Sequence, residues 1–236
     1  MGCAVNPLSN SCMYHGNSKI FFDLTPEKHL HVTIETEHLR LTSVESRQEC
    51  YDDYATLFGS PVVLEKYADG KLKTREEIQK RIDNIWVRRW RENDPYAAFA
   101  VHHKETNAFM GHAVLGHGDR PGQSELAYLF HPQFWNKGYG TEAVMALVQE
   151  YAPLTVEKGY TLEGKPLETI EATTREDNEP SWRILEKAGM HCDGTEIKFG
   201  AIRRHYSIDL SEIQKQSSDK TASSFQEFLE YYTPWD

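Results

Sequence analysis

Cysteine is scarce in this 236-residue chain: Cys3, Cys12, Cys50 and Cys192 are the only four, and no two form a CxxC pair. That spacing argues against a disulfide framework and against paired-cysteine zinc or redox motifs. The start carries no positive cluster followed by an apolar run, so no secretory signal is expected and a reduced, cytoplasmic protein is the default reading. No stretch approaches the roughly 20 apolar residues that a membrane-spanning helix requires. Met1-Gly2-Cys3 is followed by Asn6 where an acylation signal would carry Ser or Thr. Positive charge is also short. With 26 Lys and Arg against 36 Asp and Glu the formal charge is −10, which disfavours nucleic acid and anionic membranes as partners. Repeats with a period of tens of residues are absent, which excludes a solenoid.

What is present is an ordinary globular balance, 39% hydrophobic and 26% charged residues, in a length that suits one compact domain with additions. Residues 1–31 mix Asn, Ser, Gly and Pro around the patch Ile20-Phe21-Phe22 and read as an extension packed on the domain. Residues 32–210 form the domain proper. Residues 211–224 are polar and Ser-rich, and Phe225, Phe228, Leu229 and Tyr232 then recur at helical spacing, so 211–236 reads as a linker and a terminal amphipathic helix. That helix is expected to dock on its own domain or on a second subunit, in a monomer or homodimer.

Between the ends the pattern predicts a mixed α+β fold with one central sheet. Val32–Glu35 and Leu39–Val44 read as opening strands, and Cys50, Tyr54, Leu57 and Phe58 mark a short helix. Thr74 with Glu77 predicts a capping box, opening a helix whose stripe is Ile78, Ile82, Ile85, Trp86 and Trp90. An antiparallel meander follows over 96–103, 108–116 and 124–130, then a crossover helix over 141–158 and a strand over 168–174. A helix over 178–188, for which Asn178 is the expected cap, precedes a final hairpin through Ile197, Phe199, Ile202, Tyr206 and Ile208.

The segment Glu125 to Val144, ELAYLFHPQFWNKGYGTEAV, carries the chemistry. A strand runs through a Gly-bearing turn into a helix, so the amides of Lys137, Gly138, Tyr139, Gly140 and Thr141 can converge on an anion at the positive helix end. Gly138 and Gly140 would let the main chain approach a phosphate closely and adopt positive φ where the turn needs it. The same two glycines also fit an ordinary turn. No Gly-x-x-x-x-Gly-Lys-Ser/Thr run exists, and Gly116, Gly118 and Gly122 miss the dinucleotide spacing by one residue.

This segment resembles the coenzyme A-binding motif of the GNAT superfamily of N-acetyltransferases, in its ribosomal-protein N-terminal acetyltransferase branch, which typically carries Trp-Gly-Lys-Gly-Tyr-Ala-Thr-Glu-Ala. Trp135, Lys137, Gly138, Tyr139, Thr141, Glu142 and Ala143 match; Asn136 replaces a glycine, and Gly140 replaces an alanine at no expected steric cost. A second match, Asn178 to Met190, resembles the family's Asn-x-x-Ser-x-x-x-Leu-x-Lys-x-Gly-Phe helix, with Met190 for Phe. The likeness spans about Val32 to Leu210. It implies a GNAT fold, a mostly antiparallel sheet flanked by about four helices, and acetyl transfer from acetyl-CoA to a primary amine without a metal. It further implies that Phe130, Asn136, Lys137, Gly138, Tyr139, Gly140, Thr141 and Asn178 line the coenzyme site.

Transfer needs a neutral amine, a stabilised oxyanion and a leaving thiolate. By the resemblance Glu125 stands where some members place the base, and Ser181 lies near the thioester. Read as residues alone, Glu125 also fits a solvated strand end and Ser181 a helix cap. Many members protonate the thiolate with a Tyr seven residues after the Asn; Leu185 occupies that place here, and Ser181 is the substitute. An α-amine with a pKa of about 7.8 is roughly one-seventh neutral at pH 7, a Lys amine about once in 2,500. A peptide or protein N-terminus is therefore the expected acceptor. A small-molecule acetyltransferase acting on an antibiotic or polyamine, and an idle acyl-CoA-binding module, are the alternatives. His102-His103 lacks partners at metal-ligand spacing and reads as surface, and His112 and His117 fit either the substrate cleft or, as a lone His in a strand usually does, packing or a hydrogen bond.

Overall fold

The computed structural model describes residues 11–15 and 17–215. Its strands are β1 (Ser11–His15), β2 (Ser18–Leu24), β3 (Leu30–Glu35), β4 (Leu39–Ser43), β5 (Ala98–His103), β6 (Phe109–His117), β7 (Gln123–Phe130), β8 (Thr169–Arg175), β9 (His191–Lys198) and β10 (Ala201–Asp209). They form one sheet in the order β1-β2-β3-β4-β5-β6-β7-β8-β10-β9. Every pairing is antiparallel except β7 with β8.

Alternation makes the strands. In β3 the buried positions are Leu30, Val32 and Ile34, and in β4 Leu39, Leu41 and Ser43, so each strand turns one apolar row inward. The sheet has a core on each face. One holds Leu126 and Phe130 of β7 with Val144, Leu147 and Leu185 from helices, and the other holds Leu129 with Tyr54, Phe58, Ile78 and Trp86. Helices α1 (Gln48–Phe58), α2 (Pro61–Leu64) and α3 cover the second face. Helix α3 is continuous through Arg75–Arg81, the π-helical Ile82–Val87 and Arg88–Arg91. The predicted capping box is present, with Thr74 Oγ1 accepting from the Glu77 amide at 3.2 Å and Glu77 Oε2 from the Thr74 amide at 2.8 Å. The π turn advances the helical phase, so Val87 turns inward while Ile85, expected in the stripe, is 36% exposed.

Helix α4, covering the first face, runs through Tyr139–Met145, the π-helical Ala146–Tyr151 and Ala152–Glu157. Its π turn ends two residues before Pro153, which has no N–H to donate back along the helix. Helix α5 (Glu179–Lys187) follows β8.

Two expectations about the ends change. Ser18–Leu24 is a strand of the sheet rather than a layer upon it, with Ile20 and Phe22 inside the core. Its alternation was masked in sequence by the polar residues around it. Residues 210–215 are helical with Ile213 buried, so the chain stays on the domain past 211. The predicted helix at Phe225–Tyr232 lies outside the described residues.

The feature that positions the site is the parallel pair. Strands β7 and β8 pair only at Gln123↔Thr169, Ser124↔Ile170 and Glu125↔Glu171. Beyond Glu125 and Glu171 they part, leaving an opening in the sheet between Leu126–Phe130 and Ala172–Arg175.

Candidate active site

The turn after β7 is shaped by two left-handed residues, Asn136 at φ 57° and Gly138 at φ 87°. Asn tolerates that region better than other residues bearing a Cβ, which explains how Asn136 can stand in a glycine position. Gly140 is not left-handed; a Cβ there would meet Ile184 Cδ1 at 3.0 Å and Phe130 Cε2 at 3.9 Å. The expectation of a free Ala at 140 is thus corrected: Ile184 would have to give by a few tenths of an ångström. No backbone bond from the amides of 138–141 to a carbonyl outside their helix occurs among the described residues, while Glu142 closes the first helical bond to Gly138 O at 3.0 Å. The free donors at the start of a long helix form a cradle for an anion.

The side chains of the motif do other work. Tyr139 packs edge-on against His38 and His103, so its share in the cradle is its amide. Glu142 accepts from the His38 amide at 2.8 Å and from Thr36 Oγ1, fastening α4 to the β3–β4 turn. Phe130 is buried and Trp135 Nε1 donates to its carbonyl at 2.7 Å; Phe130 supports the turn from beneath. Lys137 and Thr141 lie at its rim, exposed and half-buried respectively.

At the N-terminus of α5 neither expected cap is made by a side chain. Asn178 contributes its carbonyl, which accepts from the Ser181 amide at 3.0 Å, but makes no side-chain cap. Ser181 Oγ is instead 2.9 Å from Tyr128 Oη, which also donates to Ser181 O at 2.9 Å. Tyr128 stands on β7 in the opened part of the sheet and was not singled out in the sequence. Burial pushes its phenol well above the ordinary tyrosine value, the Ser181 hydrogen bond opposing this, so Tyr128 keeps its proton. Leu185, at the position where many members carry Tyr, is buried in the core.

Glu125 faces the opposite side of the sheet, being odd-numbered in a strand whose even residues Leu126 and Phe130 enter the first core. Its carboxylate is 53% exposed with Lys198 Nζ at 4.0 Å. Glu125 and Ser181 therefore flank the opening from its two faces. Tyr67, between α2 and α3, lies within electrostatic reach of Glu125 and Arg203, and burial raises its pKa. Lys66 donates to Asp177 O at 2.7 Å and so ties this segment to the β8–α5 turn.

Deeper on the same face His112 is fully buried among Tyr54, Phe58 and Trp86. Tyr54 Oη lies 3.3 Å from Phe99 O and 2.9 Å from His112 Nδ1, and His112 Nε2 is left without a partner. Burial, with Arg81 adding to it, takes the imidazole pKa down to about 3, which makes His112 a packing residue and not a base. No group of three or more His, Cys, Asp or Glu able to hold a metal occurs among the described residues. No helix among them is long and apolar enough to cross a membrane.

A helix-start anion cradle thus lies beside a parallel strand pair that opens over two flanking polar groups. Residues 38–191 match the acetyltransferase (GNAT) domain family, and the chain belongs to that family. It is an acetyl-CoA-dependent N-acetyltransferase. Over 165 residues it is 24% identical to the uncharacterized N-acetyltransferase YnaD of Bacillus subtilis (strain 168), spanning 70% of this chain and 85% of that one. It superposes on RimL, a ribosomal L7/L12 alpha-N-protein acetyltransferase in complex with coenzyme A, with a TM-score of 0.58 and 14% identity over 74% of this chain and 95% of that one. The corresponding values for AAC(6')-Ib in complex with ribostamycin and coenzyme A are 0.52, 16%, 75% and 95%. At these identities the two structures share the fold with this protein.

Proposed function

We propose that the acceptor is the α-amino group of a peptide or protein N-terminus, that the residues 136–141 cradle holds the coenzyme's phosphates, and that the protein works in the cytoplasm. The observation that carries the acceptor reading is the character of the face on which Glu125 stands. Glu125 is half-exposed at the opening with Lys198 beside it, while its cross-strand neighbour Glu171 is engaged by His205 at 3.1 Å and Arg120 at 3.5 Å, which suits an amine that is already partly neutral. A lysine or polyamine acceptor, protonated almost throughout at pH 7, would call for a stronger base or a denser acidic lining.

Acetyl-CoA supplies the activated acetyl group as a thioester. Glu125 takes the proton that the amine loses as its nitrogen bonds to the carbonyl carbon, directly or through one water. The cradle amides and the start of α4 hold the phosphates, which fixes the thioester relative to the opening. As the C–S bond breaks, Ser181, whose Oγ is held 2.9 Å from Tyr128 Oη, hydrogen-bonds the departing sulfur, and a thiol with an ordinary pKa of about 8.5 leaves as the thiolate and takes its proton from water.

Release of the coenzyme thiol, followed with three acceptors, tests the reading. The acceptors are a peptide with a free N-terminus, the same peptide N-blocked but carrying an internal lysine, and an aminoglycoside or polyamine. The free N-terminus should give the highest kcat/KM; a higher value for the blocked peptide or the polycation would sink the proposal. Glu125→Gln should lose about 100- to 10,000-fold in kcat/KM at pH 7 and recover as the pH passes the amine's own pKa. An equal loss at every pH would remove Glu125 as the base.

A further inference from the structure

Arg203 of β10 is 4% exposed. Its Nε donates to Thr173 Oγ1 at 3.0 Å and its Nη2 to Thr173 O at 2.9 Å, whereas Nη1 is buried with no partner. No carboxylate lies within 4.0 Å of it among the described residues, although Glu125 and Glu196 are near enough to be felt. A buried guanidinium with unmet donors is costly unless something completes it. Structural arginines of that burial are usually closed by a carboxylate; this one is held by Thr173, with Nη1 enclosed and unmet.

Its place in the fold says what would arrive. Arg203 pairs with Arg175 across β10–β8, and Thr173 stands on β8 past the last rung shared with β7, so the guanidinium borders the opening. Tyr206 and Ile208 of the same strand enter the first core, and Arg204 lies over Trp182 of α5 at 4.9 Å; alternation turns Arg203 to the other face, that of Glu125 and Tyr67. The cover in front is thin, since Phe199, whose ring centroid is 5.6 Å from the guanidinium carbon, belongs to the β9–β10 turn and is 50% exposed.

We propose that Arg203 is the acceptor anchor: its free Nη1 N–H groups take a carbonyl or carboxylate oxygen that the acceptor carries close to the reacting amine. The substrate class is therefore amines with an adjacent oxygen, as in amino acids and peptide N-termini, and oxygen-free diamines are poor acceptors. A guanidinium fork selects such oxygens by geometry as well as charge, and a second cation brought against it would be repelled. This rests on the N-terminal-amine reading above and names what recognises it.

Four acceptors separate the possibilities in steady-state assays: a peptide with N-terminal Ala, one with N-terminal Asp, a free amino acid, and a diamine of matching length. Arg203→Gln should raise the peptide KM about 10- to 100-fold, the range for a lost hydrogen bond to a charged group, with kcat and the acetyl-CoA KM little changed. The diamine should be indifferent to the substitution. An effect on both peptides assigns the oxygen to the backbone carbonyl, and one confined to the Asp peptide assigns it to a carboxylate. If only the free amino acid is turned over and its KM rises in Arg203→Gln, the N-terminal reading fails while the anchor stands. Peptide KM within twofold of wild type in a folded Arg203→Gln protein overturns the anchor. Should that variant not fold, the wild-type series decides, and a diamine KM at or below that of the peptides overturns it equally.

Discussion

At Gly138 and Gly140, two glycines of one motif, the backbone asks for different things. Gly138 is left-handed at φ 87° with nothing within 4 Å of a built Cβ, while Gly140 is helical with Ile184 Cδ1 at 3.0 Å. Gly138→Ala should therefore cost about 1–2 kcal/mol of stability through backbone strain alone. Gly140→Ala should stay within about 1 kcal/mol of wild type, because gained helix propensity offsets the push on a flexible side-chain end. Gly138→Asp adds a negative charge to the cradle and should abolish calorimetric binding of acetyl-CoA, which Gly140→Ala should keep. Equal binding by all three proteins would mean that the cradle does not hold the coenzyme. The motif was legible as a string because its residues are neighbours in sequence. Tyr128 and Ser181 lie 53 positions apart and meet where α5 packs over β7, and Arg203 and Thr173 lie 30 apart and meet through the pairing of β10 with β8. No periodicity or spacing in the chain announces such a meeting.

Among the elements, β6 and α1 meet in a buried polar contact whose charge state sets a pH limit. His112 of β6 is held neutral, its pKa taken from 6.5 down to about 3. Between those values the unfolded chain binds a proton that the folded protein refuses. Stability is therefore complete above about pH 6.5 and falls as the pH drops toward 3, by at most about 1.4 kcal/mol per pH unit from this one group. His112→Phe should flatten the dependence of unfolding free energy on pH between 6.5 and 4.5, whatever it does to the absolute value. Parallel pH profiles for the two proteins in urea denaturation would show that His112 titrates normally. The elements themselves were readable where local signals agreed: the capping box at Thr74 and Glu77 starts α3, and alternation marks β3 and β4. What the pattern could not carry is the π turn in α3, which moves Val87 inward and Ile85 outward. A shift in helical phase has no signature in a stripe of apolar residues that is read at a fixed period.

For the molecule as a whole, the sheet is longer than the family match. The matched region begins at residue 38, yet β1, β2 and β3 precede it and complete one edge, with Phe22 stacked on Tyr151 of α4 at 5.7 Å between centroids. The far end behaves alike. After β10 the Leu210 amide donates to Glu168 O at 2.8 Å, His191 lies 3.0 Å from Glu212, and Ile213 is 0% exposed. A polar, Ser-rich composition at 211–224 conceals one buried isoleucine, because a single apolar residue per turn of a short helix is enough to anchor it. Ile213→Ala should cost about 2–5 kcal/mol, the range for emptying a buried aliphatic site. A chain ending at residue 210 should lose at least as much, and one ending at residue 215 should melt above it. Sedimentation of the 215-residue form against the full chain then reports whether residues 216–236 add to association. If the chain ending at residue 210 melts with the full-length protein, Ile213 contributes nothing to the core and the domain closes at β10.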